Sequence, residues 1–272
     1  NSSDASPQIV KSYDKDKVRY FRSSSLTNLG EARRNAVNEA HGDWVAFLDC
    51  DDIWHPEKLD TQMVALDGSD YIFAYAGILE MTAEGVPIRT VVPMYTSGNL
   101  LEHLLNQFDV NMVTPLIRRS FLVENHINFE PEITASEEYN LFVRLAARGN
   151  VLVQKNVLGC YRVYPGSLTD RQISRWAIER RMTLKQLADE VPSAPLIYAR
   201  AYREAEARGD YYEARYLMAQ GNSKGAKRIM NKIAHFDWKY AILTTTLYIP
   251  GFWNVLHGNS IRRRLLSILK RS

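Results

Sequence analysis

An apolar run that ends abruptly in acid, DWVAFLD followed by CDDIW, constrains this chain more than any other stretch of its 272 residues. Upstream of it, GEARRNAVNEAHG has helical spacing closed by Gly42. Downstream, a helix is expected through EKLDTQMVAL, with Pro56 suited to its first turn. A short strand, VRYF, precedes both. This alternation of strand and helix argues for an α/β sheet with helical crossovers. In open sheets of that kind ligands collect at the carboxyl ends of strands, so Asp49, Asp51 and Asp52 stand where a site is expected. Three carboxylates so close raise one another's pKa unless a cation relieves the repulsion. Mg²⁺ or Mn²⁺, hard ions that prefer oxygen, would do so and would then hold a diphosphate. The alternative is an acidic turn that caps the following helix through Asp51 or Asp52. An EF-hand loop is excluded, because the glycine at its sixth position and the closing glutamate at its twelfth are both missing.

Beyond this run, YIFAYAGILEM and VPIRTVVP read as strands joined by a hairpin turn at AEG. NLLEHLLNQ reads as a helix, MVTPLIRR as extended, EEYNLFVRLAARG as a helix ending at Gly149, and VLVQKNVLGCYRVY as the last extended segment. From about residue 171 the pattern is helical throughout: RQISRWAIERRMTLKQLADEV, PLIYARAYREAEARG, DYYEARYLMAQG and SKGAKRIMNKIAHF, each amphipathic and each closing near Gly, Pro or a polar turn. The expected division is therefore an α/β catalytic domain over residues 1–170 and a helical, basic region over 171–272. The opening NSSDASPQ reads as the middle of something, a polar turn leading into a short helix through PQIVKSY, and a truncated chain is expected.

Charge separates the same two parts. Residues 1–170 carry 15 Lys and Arg against 23 Asp and Glu, a net of −8. Residues 171–272 carry 19 against 8, a net of +11. A basic, aromatic C-terminal part points to an anionic surface as partner, and membrane phospholipid is preferred to nucleic acid. Tyr240 to Leu256 is strongly apolar, but Pro250 and Gly251 interrupt it, so it makes a poor spanning helix. With RRRLLSILKR behind it, the tail reads as an interfacial anchor on the inner face of a membrane; a helix packed on the domain, or a module of paired helices that binds protein, is the alternative. Two cysteines, Cys50 and Cys160, are too few for a disulfide framework, and the six histidines show no metal spacing. A reduced cytoplasmic setting is the simplest one.

The run GEARRNAVNEAHGDWVAFLDCDDIWHPEKLD resembles the pattern of glycosyltransferase family 2: an Ala-Arg-Asn helix, a hydrophobic strand, Asp-X-Asp-Asp and Trp-X-Pro. The resemblance implies a GT-A (Rossmann-like) nucleotide-sugar-binding domain and an inverting, metal-dependent transferase. It makes Asp51 the metal ligand and places Asp49 on the ribose or a metal-bound water, with Asp52 beside them. Arg34, in the Ala-Arg-Asn helix, either faces the nucleotide or is a solvent-exposed helix arginine. Where the family shows Glu-Asp-aromatic-Asp-Leu, this chain has Glu137, Glu138, Tyr139, Asn140 and Leu141, so the base that takes the acceptor proton is Glu138. In YRVYPGSLT, similar to the family's Tyr-Arg-X-His-X-X-Ser, Tyr164 replaces the histidine; either water completes the metal shell or Arg162 and Ser167 help hold the diphosphate. Glu137, Asn111 and Thr114 fall on the acceptor side. The strands that carry the family's base-binding aspartate are not in this sequence. The implied donor is a UDP-sugar, and the implied acceptor a saccharide or lipid-linked hydroxyl made at the membrane. The rival is a catalytically weak sugar-nucleotide-binding protein or scaffold, motivated by the replacements at Glu138 and Tyr164.

Overall fold

The computed structural model describes residues 3–25, 28–163, 172–249 and 251–257. Helix α1 (Ser6–Lys11) lies where PQIVKSY placed it. The chain then passes through VRYF without joining the sheet, so the strand expected there does not form. Val18 and Phe21 are exposed; with no neighbour to pair its backbone among the described residues, the segment has no ladder to join.

Helix α2 (Leu29–Asn38) is capped by Asn28, whose side-chain oxygen accepts the amide of Glu31 at 2.8 Å. Its inward face carries Gly30, Arg33 and Val37. After it come β1 (Trp44–Ala46), β2 (Ile53–Trp54) and α3 (Lys58–Leu66). The long strand β3 (Phe73–Met81) turns through Thr82–Val86 into β4 (Pro87–Val91), the hairpin read from AEG, with Gly85 at φ +86°. There follow α4 (Leu101–Asn106), β5 (Leu116–Arg118), α5 (Arg119–Glu124), α6 (Glu137–Ala146) and β6 (Val151–Arg162).

The sheet runs β1-β5-β3-β6-β2, with β4 added to the far half of β3. Among the described strands only β3 and β6 pair in parallel, Phe73 opposite Val151; the other pairings are antiparallel. The crossover expected from alternation is thus confined to the β3–β6 pair, and the sheet is mixed. Strand β3 is buried on both faces. Phe73 and Tyr75 enter the main core with Phe142, while Ala74 packs with Leu66 and Leu116 on the other side. Such two-sided burial explains why its sequence reads as an unbroken apolar run.

The main core does not stop at the sheet. It continues through Leu184 and Leu187 of α7 (Ile173–Glu190) and Ala201, Tyr202 and Ala205 of α9 (Ala199–Ala219), the short α8 (Ala194–Ile197) lying between them. Polar contacts fasten α7 to α6: Arg144, nearly fully buried, pairs with Glu190 at 2.7 Å and Glu130 at 2.9 Å, and Asn140 donates to Gln186 at 2.9 Å. The sequence pattern breaks the next helix at Gly209, but α9 runs through it. One glycine costs a helix only about 1 kcal/mol, and the packing of α9 against α7 offsets it. Helices α10 (Ser223–Ile233), α11 (Trp238–Thr246) and α12 (Phe252–His257) close a second cluster around Met230, Tyr240 and Trp253. The break between α11 and α12 falls at the interruption read from the sequence. RRRLLSILKR, Tyr164 and Ser167 lie outside the described residues.

Candidate functional site

Past β1 the chain leaves the sheet and makes a turn, the Asp52 amide donating to the Asp49 carbonyl at 3.1 Å, before re-entering as β2 against β6. Trp54 fixes this re-entry: its indole N–H donates to Val113 O at 2.9 Å, and the fully buried Lys58 ammonium lies 4.5 Å from its ring centre. Desolvation pulls Lys58 down to about 8. Gly159, opposite Trp54 in the ladder, is required by space, since a Cβ there would stand 2.2 Å from Val113 Cγ1. Arg162 at the end of β6 buttresses the turn: its amide donates to Asp52 Oδ1 at 2.9 Å, and its side chain donates to Asp51 O and Ala83 O, each at 2.6 Å.

Opposite the turn stands the N-terminus of α6, held by Glu179 of α7. This fully buried carboxylate accepts from Thr134 N and Oγ1, Ala135 N, Ser136 Oγ and Arg175 Nε at 2.7–3.0 Å. Burial alone would raise its pKa, but these donors hold it below the usual carboxylate range. The result is that Glu137 and Glu138 are presented toward the Asp49–Asp52 turn.

Between them lies Arg33. Its side chain is 6% exposed and its guanidinium reaches Asp49 Oδ2 at 2.8 Å, Glu137 Oε1 at 3.1 Å and Glu138 Oε1 at 3.3 Å. One cation thus joins both acidic walls. Glu137 is 7% exposed, and burial raises its pKa despite Arg33. A third of the Glu138 side chain still opens on the cleft, yet desolvation by the surrounding wall raises it to about 7, with Glu137 adding to the rise and Arg33 opposing it. Asp52 is likewise pushed by burial to about 6.

These groups line a cleft of about 390 Å³, together with Leu29, Asn111, Tyr161, Trp176, Arg180 and Tyr212 among others. The structure therefore brings Asp49, Asp51, Asp52, Asn111, Glu137, Glu138 and Arg162 into one cleft. Two expected residues are not in it. Arg34 turns to the other side of α2, where it donates to Phe129 O at 2.8 Å and stands 3.6 Å from Glu130, so the arginine of the Ala-Arg-Asn helix that enters the site is its neighbour Arg33. Thr114 is fully buried behind the wall, its hydroxyl bonded to Ala76 N and O at 3.1 Å, and supports β3 instead of facing an acceptor. Arg162 lines the cleft, but the bonds named above commit it to shaping the acidic turn.

For a divalent cation, no group of three or more His, Cys, Asp and Glu side chains is assembled among the described residues. Both Asp49 carboxylate oxygens accept from Arg33 Nη2, at 2.8 and 3.2 Å. Asp51 and Asp52, the latter accepting from the Arg162 amide, add hard oxygens on the same turn. They fit an ion such as Mg²⁺ that binds through one or two carboxylates and completes its shell with diphosphate oxygens and water.

The opposite wall holds residues that the motif comparison passed over. Arg180 of α7 is 93% buried, stacked 3.9 Å from the Tyr139 ring centre and 5.5 Å from that of Tyr212, and it makes no hydrogen bond or ion pair among the described residues. Stacking on desolvated rings contributes about 2 kcal/mol, whereas an unpaired buried ion costs several, so the rings alone do not compensate it. Among the described residues, four cleft-lining side chains hold a buried polar atom with no partner: Arg33 Nε, Tyr139 Oη, Gln172 Oε1 and Arg180 Nε. The two buried arginines that line the cleft, Arg33 and Arg180, were legible. Gly30, Arg33 and Val37 share one helical face, and Ala177, Arg180, Leu184 and Leu187 another, each an apolar stripe interrupted by a single guanidinium.

Residues 1–126 match the family model described as glycosyl transferase family 2. The succinoglycan biosynthesis protein ExoU of Rhizobium meliloti is 24% identical over 248 residues, covering 84% of this chain and 70% of that protein. ExoO, of the same organism and likewise named for succinoglycan biosynthesis, is 25% identical over 181 residues, 62% of this chain and 51% of the relative. Among curated relatives the matched stretch covers as little as 20% of the relative's length. Of solved structures, S. aureus TarS 1-349 in complex with UDP-GlcNAc superposes with a TM-score of 0.60 at 18% identity, over 91% of this chain and 75% of that one. The expected GT-A fold with a helical C-terminal region holds.

Proposed function

We propose that the chain, whose residues 1–126 match the glycosyl transferase family 2 model, moves a sugar from a nucleotide diphosphate sugar, a UDP-sugar by the habit of the family, to a hydroxyl of a saccharide or lipid-linked acceptor, with inversion. The observation that carries this is the pairing across one cleft of the Asp49–Asp52 turn with Glu138, whose carboxyl is raised to about 7. A base poised near the working pH takes up a proton readily and is regenerated readily. Glu138 accepts the proton of the acceptor hydroxyl; the oxygen attacks the anomeric carbon, the bond to the diphosphate breaks, and UDP departs. Arg33 holds Glu138 and Asp49 in place on the two walls of the cleft. A divalent ion held through Asp51, when bound, supplies positive charge for the departing diphosphate. Asn111, lining the cleft, and Glu137 stand on the acceptor side. ExoO and ExoU, named for succinoglycan biosynthesis, and TarS with its bound UDP-GlcNAc support a nucleotide-sugar donor and a polysaccharide setting.

Residues 171–272 are proposed to hold the enzyme on an anionic membrane surface. None of the described helices is long and apolar enough to cross a membrane, but Trp238, Ile242, Tyr248, Ile249, Phe252 and Val255 on and between α11 and α12 are exposed, near a chain end rich in arginine. Two measurements on the full-length protein test these readings. UDP released from a panel of UDP-sugars in Mn²⁺ with acceptor extract is expected to exceed background; UDP binding without turnover would leave a sugar-nucleotide-binding protein in its place. Co-flotation with anionic but not neutral liposomes is expected, and flotation indifferent to lipid charge would end the membrane reading.

A further inference from the structure

The Arg180 wall has no part in the chemistry of the Asp49–Asp52 turn, and its unmet polar capacity needs a ligand. Arg180 is almost wholly buried, lines the cleft, and among the described residues has no carboxylate to answer it. The acids around it are committed elsewhere: Glu179, its neighbour in sequence, to the Thr134–Ser136 loop and Arg175, and Glu137 and Glu138 to Arg33. Tyr139 and Tyr212 hold its guanidinium by their faces, which fixes its plane without using its hydrogen-bond donors. Gln172 Oε1 and Tyr139 Oη, also buried and without partners among the described residues, line the same cleft. A rigid guanidinium with free donors beside a hydroxyl and an amide suits a planar or tetrahedral oxyanion on a polyhydroxylated molecule.

We propose that Arg180 recognises an anionic group, a phosphate or carboxylate, carried by the saccharide acceptor. This rests on the glycosyltransferase reading. The acceptor is the favoured source because Arg180 follows Tyr139, next to the proposed base Glu138, on the wall that α6, α7 and α9 build, while the acidic turn opposite is the proposed diphosphate end. An anion seated on Arg180 would hold its sugar against that wall, with a hydroxyl offered to Glu138.

The test is calorimetric titration of the full-length protein, in Mn²⁺ and saturating UDP, with three probes: methyl glucuronoside, glycerol 1-phosphate and the neutral methyl glucoside. At least one anionic probe is expected to bind ten times more tightly than methyl glucoside. Arg180→Gln should erase that preference, Arg180→Lys should keep part of it, and UDP affinity should stay within twofold in both. No anionic preference in the wild type, or a preference that survives Arg180→Gln, overturns the proposal while UDP binding leaves the glycosyltransferase reading standing. A loss of UDP affinity equal to the loss of probe affinity would make Arg180 a donor contact and also overturn it. If the wild type binds no UDP, both readings fall together. Should Arg180→Gln not fold, the wild-type preference and its retention in Arg180→Lys decide.

Discussion

Replacing Arg33 by methionine removes the one cation that both acidic walls share. The cost can be worked from the three partners. Glu137 is 7% exposed and would be left as a buried carboxylate with its arginine gone; breaking a buried pair from one side typically costs about 3–5 kcal/mol. Glu138 and Asp49, 34% and 40% exposed, are screened by solvent in the cleft and add little. The expected loss is therefore about 3 kcal/mol, set mainly by Glu137. Its pH dependence has a definite sign. Without Arg33 the folded-state pKa of Glu137, already raised by burial, rises further. A carboxyl raised on folding contributes stability that is present below its unfolded pKa and lost as pH climbs through the folded value. The deficit of Arg33→Met should thus be largest near pH 8 and shrink toward pH 4.5. Urea unfolding at several pH values measures it. Arg34→Met is the control: that arginine is half exposed, its partner Glu130 is 3.6 Å away, and about 1 kcal/mol or less is expected. A pH-independent deficit, or equal losses for the two arginines, would refute the reasoning.

Glu138→Gln should lower kcat by about 10²- to 10⁴-fold, and the wild-type kcat/KM should rise with pH to a plateau above about 7, where the base is ionised; a pH-independent profile would speak against Glu138. Gly159→Ala should destabilise by about 1–3 kcal/mol, because its Cβ would stand 2.2 Å from Val113 Cγ1, and a melting temperature equal to wild type would contradict that. Gly209→Ala has the opposite sign: the added methyl meets Arg180 Cδ at 3.7 Å, an ordinary contact, so a gain of about 0.5–1 kcal/mol is expected in chemical unfolding. Chelation with EDTA should abolish UDP release and Mn²⁺ should restore it; turnover that survives chelation would remove the cation from the account.

How much of this was readable beforehand follows from the range of each interaction. The hairpin at Gly85, the two-sided strand β3 and helix α6 depend on local pattern and turn chemistry, and they stand where the sequence put them. VRYF has strand composition but no partner in the described sheet, and pairing is not a local property. Gly209 reads as a stop because glycine usually is one, and only the crossing of α7 explains its place inside α9. The acidic turn and the Glu137–Glu138 pair came from motif, whereas choosing Arg33 over Arg34 needed the helix phase: a one-residue step turns a side chain by about 100°, from the cleft to the opposite flank. Glu179 and Arg180 were beyond motif altogether. Their roles come from α7 folding back on α6, a contact between segments some 40 residues apart.

The cleft between the Asp49–Asp52 turn and Glu137–Glu138 is proposed to take a sugar nucleotide. Titrating UDP into the full-length protein in Mn²⁺, with Asp51→Asn alongside, tests it most directly. Saturable binding that weakens at least tenfold in Asp51→Asn is the expected result; no binding to the wild type, or equal affinity in the two proteins, would contradict it.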